Sequence, residues 1–219
     1  MLSPAHKTLL IAGLLALPGA ARAELQLSLY GGVQEADPSD VTVSGDSVVA
    51  DDEFTATWEG RSLEAPFYWG ARATWWARSG LGFGLDVNHA KTYADDETLA
   101  QTGYERLEFS DGLNIVTVNA YYRWDRALGP VTPYVGGGLG VSVPHVELTE
   151  ASSETFEYQL TGPAATWIAG ASVPITERVD LFGEYKGTWS SNEAELDTGG
   201  TLESDIMTNA VNFGVSFNF

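Results

Sequence analysis

The chain ends in the stretch NFGVSFNF, residues 212–219, in which apolar side chains alternate with polar or very small ones. In an extended strand, Phe213, Val215, Phe217 and Phe219 would share one face, because successive side chains point to opposite sides. Phe219 is the last residue, and a terminus is ordinarily the least constrained part of a fold. The pattern therefore predicts a terminal strand that is locked in place, with an aromatic face that meets apolar surroundings such as lipid.

The same period of two recurs along the chain, whereas helical periodicity hardly appears. The cleanest run, residues 81–88, sets large apolar side chains on one face against glycine, Asp86 and Asn88 on the other. The pattern does not assign the faces of the sixth run. The predicted strands are residues 25–33, 67–78, 81–88, 114–124, 131–143, 159–174, 181–189 and 206–219.

The connections between these runs alternate in length. Residues 78–80, 125–130 and 175–178 are short turns, whereas residues 35–66 and 95–111 are long. Short turns at one end and long loops at the other are typical of bacterial outer-membrane barrels. We therefore predict an all-β protein, an eight-stranded antiparallel transmembrane up-and-down β-barrel with long acidic extracellular loops. In the outer membrane of a Gram-negative cell, both termini would be periplasmic.

The first 23 residues have the layout of a cleaved secretory signal. Lys7 precedes an uncharged apolar core at residues 9–17, and Ala21-Arg22-Ala23 is a small-residue cleavage site. We therefore expect a signal peptide at residues 1–23 and one barrel domain at residues 24–219. The sequence has no cysteine. This excludes disulfides, thiolate metal sites and a cysteine nucleophile.

The acidic residues are concentrated in the long connections. The formal charge is −19, and removal of Lys7 and Arg22 with the signal leaves −21. Residues 35–66, 95–111, 147–157 and 190–205 hold 24 of the 30 acids. Such a surface excludes nucleic acid as a partner, because phosphates require a basic surface.

A soluble lipocalin-like barrel or sandwich would show the same period of two, with its apolar face turned inward. A soluble core seldom carries charges at strand centres, whereas a membrane barrel can pair them across its lumen. Eight strands enclose an interior just wide enough for side chains, so we expect no solute-conducting pore. The predicted lumenal charge network consists of Arg72, Asp86, Arg123, Glu184 and Lys186.

The sequence has no GxSxG, HExxH or phosphate-binding glycine motif. Two histidines follow the predicted signal, and each has a carboxylate within three residues: His89 with Asp86, and His145 with Glu147. Two imidazoles and a carboxylate suit a divalent metal ion. By strand parity both histidines face outward unless Pro144 and a bulge redirect them. The alternative is a pair of rim histidines that contact lipid headgroups.

Several stretches resemble the outer-membrane lipid A oxidase family. They are APFYWGARATWW (65–76), DVNHAKTYADD (86–96), LEFSDGLNIVTVNAYYRW (107–124), PYVGGGLGVSVPHVE (133–147), TFEYQLTGPA (155–164) and GEYKGTWSSNEAEL (183–196). The most specific are SDGLNIVTVNA and GVSVPHVE. YVGGGLGV and the terminal NFGVSFNF are shared with OmpA-like barrels in general.

This resemblance implies an enzyme that uses O₂ to convert the proximal glucosamine of 1-dephosphorylated lipid A to 2-aminogluconate, releasing hydrogen peroxide. It identifies no catalytic residue. Such chemistry needs a redox cofactor, so we hypothesise a metal held by His89 and His145 with Asp86 or Glu147. The expected partners are outer-membrane lipid, lipopolysaccharide and the outer-membrane assembly machinery, with Phe213, Phe217 and Phe219 as the assembly signal. The alternative is a non-catalytic OmpA-like surface barrel with a structural, cation-binding or adhesion role.

Overall fold

The computed structural model describes residues 24–150 and 153–219, so the predicted signal peptide lies outside the described residues. Strands dominate, with one short helix. In chain order the elements are β1 (Glu24–Ala36), β2 (Ser39–Ser44), β3 (Asp52–Ala56), β4 (Trp58–Glu59), β5 (Trp69–Trp76), β6 (Leu81–Ala94), α1 (Asp96–Thr102), β7 (Arg106–Arg123), β8 (Thr132–Glu150), β9 (Ser153–Tyr158), β10 (Gly162–Pro174), β11 (Val179–Glu195) and β12 (Thr201–Asn218).

Eight of these strands form a closed antiparallel ring in the order β1-β5-β6-β7-β8-β10-β11-β12. The ring closes between β1 and β12, where Leu29 lies opposite Val215 and Ala36 opposite Thr208. The terminal strand is therefore held by neighbours on both sides, β1 and β11. The predicted eight-stranded antiparallel fold is confirmed.

The outward face of the ring is apolar and the inward face is polar. Val118 is 67% exposed, and Leu139 and Phe213 are similarly exposed, whereas Asn119 and Ser216 on the alternate positions are buried. On β10 the structure assigns the faces that the sequence left open, with Trp167 outward and Thr166 and Ile168 inward. Exposed apolar side chains thus encircle the ring as a belt, which is the arrangement that hydrocarbon surroundings require.

The predicted acidic loops are folded structure. β6, β7, β8, β11 and β12 continue beyond the belt, and four extra strands join them there. β2 pairs with the start of β12, β3 pairs with β2, and β4 pairs with the end of β6. We call this part of the molecule the cap: the described residues of 34–68, 89–113, 144–161 and 190–206.

β9 pairs with β8, the strand with which β10 also pairs, and so extends the wall of the ring. Tyr158 lies opposite His145 and Gly162 opposite Ser142, both on β8. Four residues on one side therefore span three on the other, which is a β-bulge. Strand six of the ring consequently runs from β9 into β10 and reaches well into the cap.

The cap has its own apolar core. The inward side chains that form it include Val41, Val43, Trp58, Leu107, Phe109, Leu113, Val146, Leu148, Leu202 and Ile206, all at most 4% exposed. Period-two alternation within the connections produces this core, as in DVTVS (40–44), where Val41 and Val43 point inward. Acids such as Asp40 and Glu203 occupy opposite, outward positions. This second core was not predicted, because the segments that form it were expected to be loops.

The helix α1 has explicit end signals. Asp95 is its N-cap and accepts a hydrogen bond from the Thr98 backbone N–H at 2.8 Å, and Gly103 ends it in the left-handed conformation, with φ of 81°. The hydrogen bonds from Thr98 lower the pKa of Asp95. No helix among the described residues is long and apolar enough to cross a membrane.

The outward direction of the belt can be tested at Val118, near the middle of the belt part of β7, residues 114–123. Val118→Lys should lower the free energy of unfolding by about 2–4 kcal/mol, because a cation on the lipid face at mid-depth is costly. The measurement is guanidinium unfolding of the refolded barrel in phosphatidylcholine vesicles. Val48→Lys, at an exposed apolar position in the cap, should change stability by at most about 0.5 kcal/mol. Equal losses at both positions would contradict a lipid-facing belt.

Candidate functional site

The lumen contains a cluster of four charged side chains, which we call the charge cluster: Arg72, Asp86, Glu184 and Lys186. Arg72 on β5 lies directly opposite Asp86 on β6, and Glu184 and Lys186 follow each other on the inward face of β11. All four are at least 93% buried. The structure thus brings together four of the five predicted lumenal charges.

The guanidinium of Arg72 connects the two carboxylates. Its Nε donates to Asp86 Oδ2 at 2.8 Å, and Nη1 and Nη2 donate to the two oxygens of Glu184 at 2.9 and 2.8 Å. The Lys186 ammonium donates to Asp86 Oδ1, to Asn88 Oδ1 and to the hydroxyl of Tyr30. Two cations and two anions therefore balance, and each takes part in hydrogen bonds.

Tyrosines surround the charge cluster, and glycines leave room for them. Tyr30 donates to Asp86 Oδ1 at 2.9 Å, and Tyr134 donates to Glu184 Oε2 at 2.7 Å. A Cβ at Gly70 would lie 2.1 Å from Tyr30 Cζ, and one at Gly170 would lie 2.7 Å from the Tyr134 hydroxyl. Inward glycines beside inward tyrosines are the sequence signal for this packing, and the sequence analysis did not use it.

Arg123 is not part of the charge cluster, contrary to the prediction. Its Nη2 donates to Glu24 Oε2 at 2.8 Å, its Nε lies 2.8 Å from Asp125 Oδ1, and it stacks over the Trp76 ring at 4.6 Å. Arg123 is the last residue of β7, at the end of the ring with the short turns. Strand alternation predicts which face Arg123 occupies but not its position along the barrel axis. At this end of β7 the side chain lies beside Glu24.

The lumen contains little free space. Between the charge cluster and the short turns lies a cavity of about 30 Å³, lined by Arg72, Thr74, Tyr121 and Tyr134 among others. That is room for one or two water molecules. On the other side of the charge cluster, the apolar core of the cap follows. The described residues therefore contain two successive barriers to a solute, one ionic and one apolar.

His89 lies on the outward face of β6, as parity predicts. Its ring stacks on Trp69, with centroids 6.1 Å apart, and its Nδ1 lies 2.9 Å from Asn114 Oδ1. Only 8% of the residue is exposed, and its Nε2 has no hydrogen-bond partner among the described residues.

His145 also faces outward, on β8, and is enclosed by aromatic rings. Phe156 and Tyr158 of β9 pack edge-on against it at 4.4 and 4.7 Å. Its Nδ1 lies 3.1 Å from Glu147 Oε1, although the two atoms are not aligned as a hydrogen bond. Glu147 accepts a hydrogen bond from Arg106 at 2.8 Å, and this bond raises the pKa of Arg106.

The four residues of the predicted metal site do not form one donor set. Asp86 faces the lumen, whereas His89, three residues further along β6, faces outward. β7 separates β6 from β8, and His89 is level with Val143, two residues before His145, so the two histidines lie more than about 10 Å apart. Among residues 24–150 and 153–219, no three histidine or acidic side chains converge to hold a metal ion. The donors present therefore do not fit a resident metal.

The terminal aromatic residues lie on the belt. Phe213, Phe217 and Phe219 are 69%, 42% and 75% exposed, and the Phe219 backbone N–H donates to the Leu25 carbonyl at 2.9 Å. Their role as an assembly signal stays a prediction.

The outward face of the cap contains an open acidic groove of about 520 Å³ on β11, β12 and β2. Four carboxylates line it: Asp40, Glu193, Glu203 and Asp205. Glu193 lies directly opposite Glu203, and like charges in that position destabilise a sheet. In the sequence these acids belong to two different connections, so their convergence was not predicted.

Comparisons with known proteins agree with this architecture. The model of the outer membrane protein β-barrel domain family matches residues 8–219. Similar solved structures include Neisserial surface protein A, with 16% identity over 90% of this chain and 97% of that one and a TM-score of 0.51. OprG from Pseudomonas aeruginosa has 12% identity over 90% and 96%, with a TM-score of 0.53. A major outer membrane protein from Thermus thermophilus has 13% identity over 90% and 99%, with a TM-score of 0.50. No curated protein sequence matches this chain.

The charge cluster should matter more to stability than any ion pair on the cap. Lys186→Met removes one cation beside Asp86, so the free energy of unfolding in vesicles should fall by about 3–5 kcal/mol. Arg61→Gln, which removes an exposed pair with Glu59, is the control and should cost under about 1 kcal/mol.

A double-mutant cycle tests the coupling within the charge cluster. Asp86→Asn with Lys186→Met should cost less than the sum of the two single substitutions, because neither charge is then left buried alone. Strict additivity would show that the two groups do not stabilise each other.

Proposed function

Because the chain belongs to the outer membrane protein β-barrel domain family, we propose that it is a non-catalytic surface barrel of the bacterial outer membrane that works through its cap. In this proposal the cap faces the cell exterior and both termini face the periplasm. The principal support is the apolar core of the cap, which lies over the charge cluster. A barrel filled in this way serves as an anchor and a platform.

The cap is suited to presenting a fixed surface. Flexible loops lose conformational entropy when they bind, whereas strands held by a core are already ordered. On the acidic groove, Glu193 and Glu203 keep their positions although their mutual repulsion costs stability. A cationic ligand would relieve this repulsion. We therefore propose that the groove binds cationic groups on an extracellular partner.

Neutralising the groove tests this proposal. The variant combines Asp40→Asn, Glu193→Gln, Glu203→Gln and Asp205→Asn, and the probe is an oligolysine peptide added to the refolded barrel in detergent. We expect the dissociation constant to rise about tenfold, or 1.4 kcal/mol, because four carboxylates that converge on one ligand are lost. Isothermal titration calorimetry at low salt measures the change, and added salt should weaken binding to the unmodified protein.

A variant with equal net charge is the matched control. Glu97, Glu105, Glu154 and Glu157 are exposed on the cap and do not line the groove. Their joint replacement by glutamine should leave most of the affinity intact. Equal losses in the two variants would show that peptide binding follows net charge alone, and the groove proposal would then be wrong.

Oxidation of lipid A is the second candidate function, and it rests on the sequence resemblance. One observation favours it. His89 and His145 both face outward at the border between belt and cap, where the sugar of a lipid in that leaflet would lie. We assign no reaction step, because the residues do not fit a resident metal.

This candidate is tested by incubating the refolded barrel aerobically with 1-dephosphorylated lipid A and trace metals. If the protein is an oxidase, lipid mass spectrometry should detect the 2-aminogluconate product, peroxide should accumulate, and His89→Ala with His145→Ala should abolish both signals. Heat-modifiable gel mobility confirms that each sample is folded. Unchanged lipid from a folded barrel would leave the surface-barrel proposal as the only candidate.

A further inference from the structure

Three large apolar side chains are exposed above the belt, on the part of strand six that enters the cap. Phe156, Tyr158 and Leu160 are 54%, 58% and 69% exposed. We call these three residues the raised patch. Contiguous exposed apolar side chains of this size mark a surface that another molecule covers.

The register shows that the raised patch faces outward. Phe156 lies opposite Glu147 and Tyr158 opposite His145, and paired residues share a face of the sheet. The Gln159 backbone N–H donates to the Pro144 carbonyl at 3.1 Å, so the ladder continues through Leu160. Two and four residues before His145 on β8 are Val143 and Val141, and Val141 is exposed on the belt. The raised patch therefore continues the lipid-facing side of the wall.

The strands on either side are already polar at this height. β8 presents His145 and Glu147 beside the raised patch. On β11 the outward residues change to Ser191 and Glu193 after Trp189, and the Glu193 N–H donates to the Thr161 carbonyl at 3.0 Å. Phe156 and Leu160 are four positions apart, so with a tilted strand the raised patch extends about 10 Å above the local edge of the belt.

The rings of the raised patch are held in their outward positions. Phe156 and Tyr158 pack against His145, and the inward position next to Phe156 is occupied by buried Thr155. The next outward residue on the same strand is the exposed Glu154, and the half-exposed Arg106 of β7 lies at the same height and is paired with Glu147. Aliphatic, then aromatic, then charged side chains along one line is the order found at a membrane–water interface.

We propose that the raised patch lies in the lipid leaflet at the cap end of the barrel. Its occupant is membrane lipid, because the raised patch is continuous with the belt through Val141 and Pro163, which lie opposite each other, and follows the order of an interface. The lipid-covered wall is consequently taller at strand six than at its neighbours. Lipid headgroups there are brought beside His145 and Arg106. This inference depends on the fold and not on the proposed ligand of the acidic groove.

Site-directed spin labelling tests this placement directly, because the chain has no cysteine and each new cysteine carries one label. Leu160→Cys and Phe156→Cys are compared with Leu139→Cys on the belt and Val48→Cys, an exposed position elsewhere in the cap. The labelled barrels are refolded into phosphatidylcholine vesicles. Collision of the nitroxide with oxygen reports lipid, and collision with a water-soluble nickel chelate reports solvent.

We expect the label at Leu160 to match Leu139, with strong oxygen and weak nickel collisions. The label at Phe156 should fall between Leu139 and Val48, since it lies closer to the headgroups. Nickel accessibility at Leu160 equal to that at Val48 would place the raised patch in water and overturn the proposal. Low accessibility to both reagents would mean that protein, such as a second copy of the chain, covers it, and would overturn it equally. All four positions are exposed, so labelling should not prevent folding, and heat-modifiable mobility checks this.

Discussion

The structure depends on the closure of a hydrogen-bonded ring in surroundings that accept no hydrogen bonds. In hydrocarbon, a backbone N–H or C=O group without a hydrogen-bond partner is energetically costly. The strand that ends at Asn218 must therefore pair with β1 as well as with β11. Once the ring is closed, strand alternation sends every second side chain into a lumen too narrow for bulk water. Charges there must find partners among themselves, and Arg72, Asp86, Glu184 and Lys186 do so.

Beyond the belt, the polar and apolar faces of the same wall are exchanged. Outside the raised patch, water surrounds the cap, so most of its apolar side chains turn inward and acids such as Glu193 and Glu203 turn outward, as in a soluble sheet protein. Val41, Phe109 and Leu202 are on the same inner face of the wall that carries the charge cluster lower down. The inversion of polarity occurs along single strands such as β7 and β12. It gives the molecule a polar lumen in the membrane, an apolar core outside it, and a rigid surface on which acidic groups such as Glu193 and Glu203 are fixed.

The candidate sites show how far reasoning along the chain reaches. Parity correctly turned His89 outward and Asp86 inward, and for that reason these two residues, close in sequence, cannot share a metal ion. His89 and His145 are separated by β7, and among the described residues no third histidine or acidic side chain converges with them. Arg123 is on the inward face as predicted, but it lies too far along β7 to reach the charge cluster. The acidic groove was missed because Asp40 and Glu203 come from distant segments that meet only through the register of β2 with β12.

The alternation of residues by itself determined the strand number and the two faces of seven of the eight ring strands, and the charges at strand centres indicated that the apolar face points outward. Those features follow from local geometry, since a period of two is a property of each strand alone. Tertiary structure decided the partners of each lumenal charge, the folding of the acidic connections around a second core, and the height at which strand six stops being apolar. These depend on the offset between neighbouring strands, and that offset is set by ring closure and by the bulge before Gly162, which no single strand encodes.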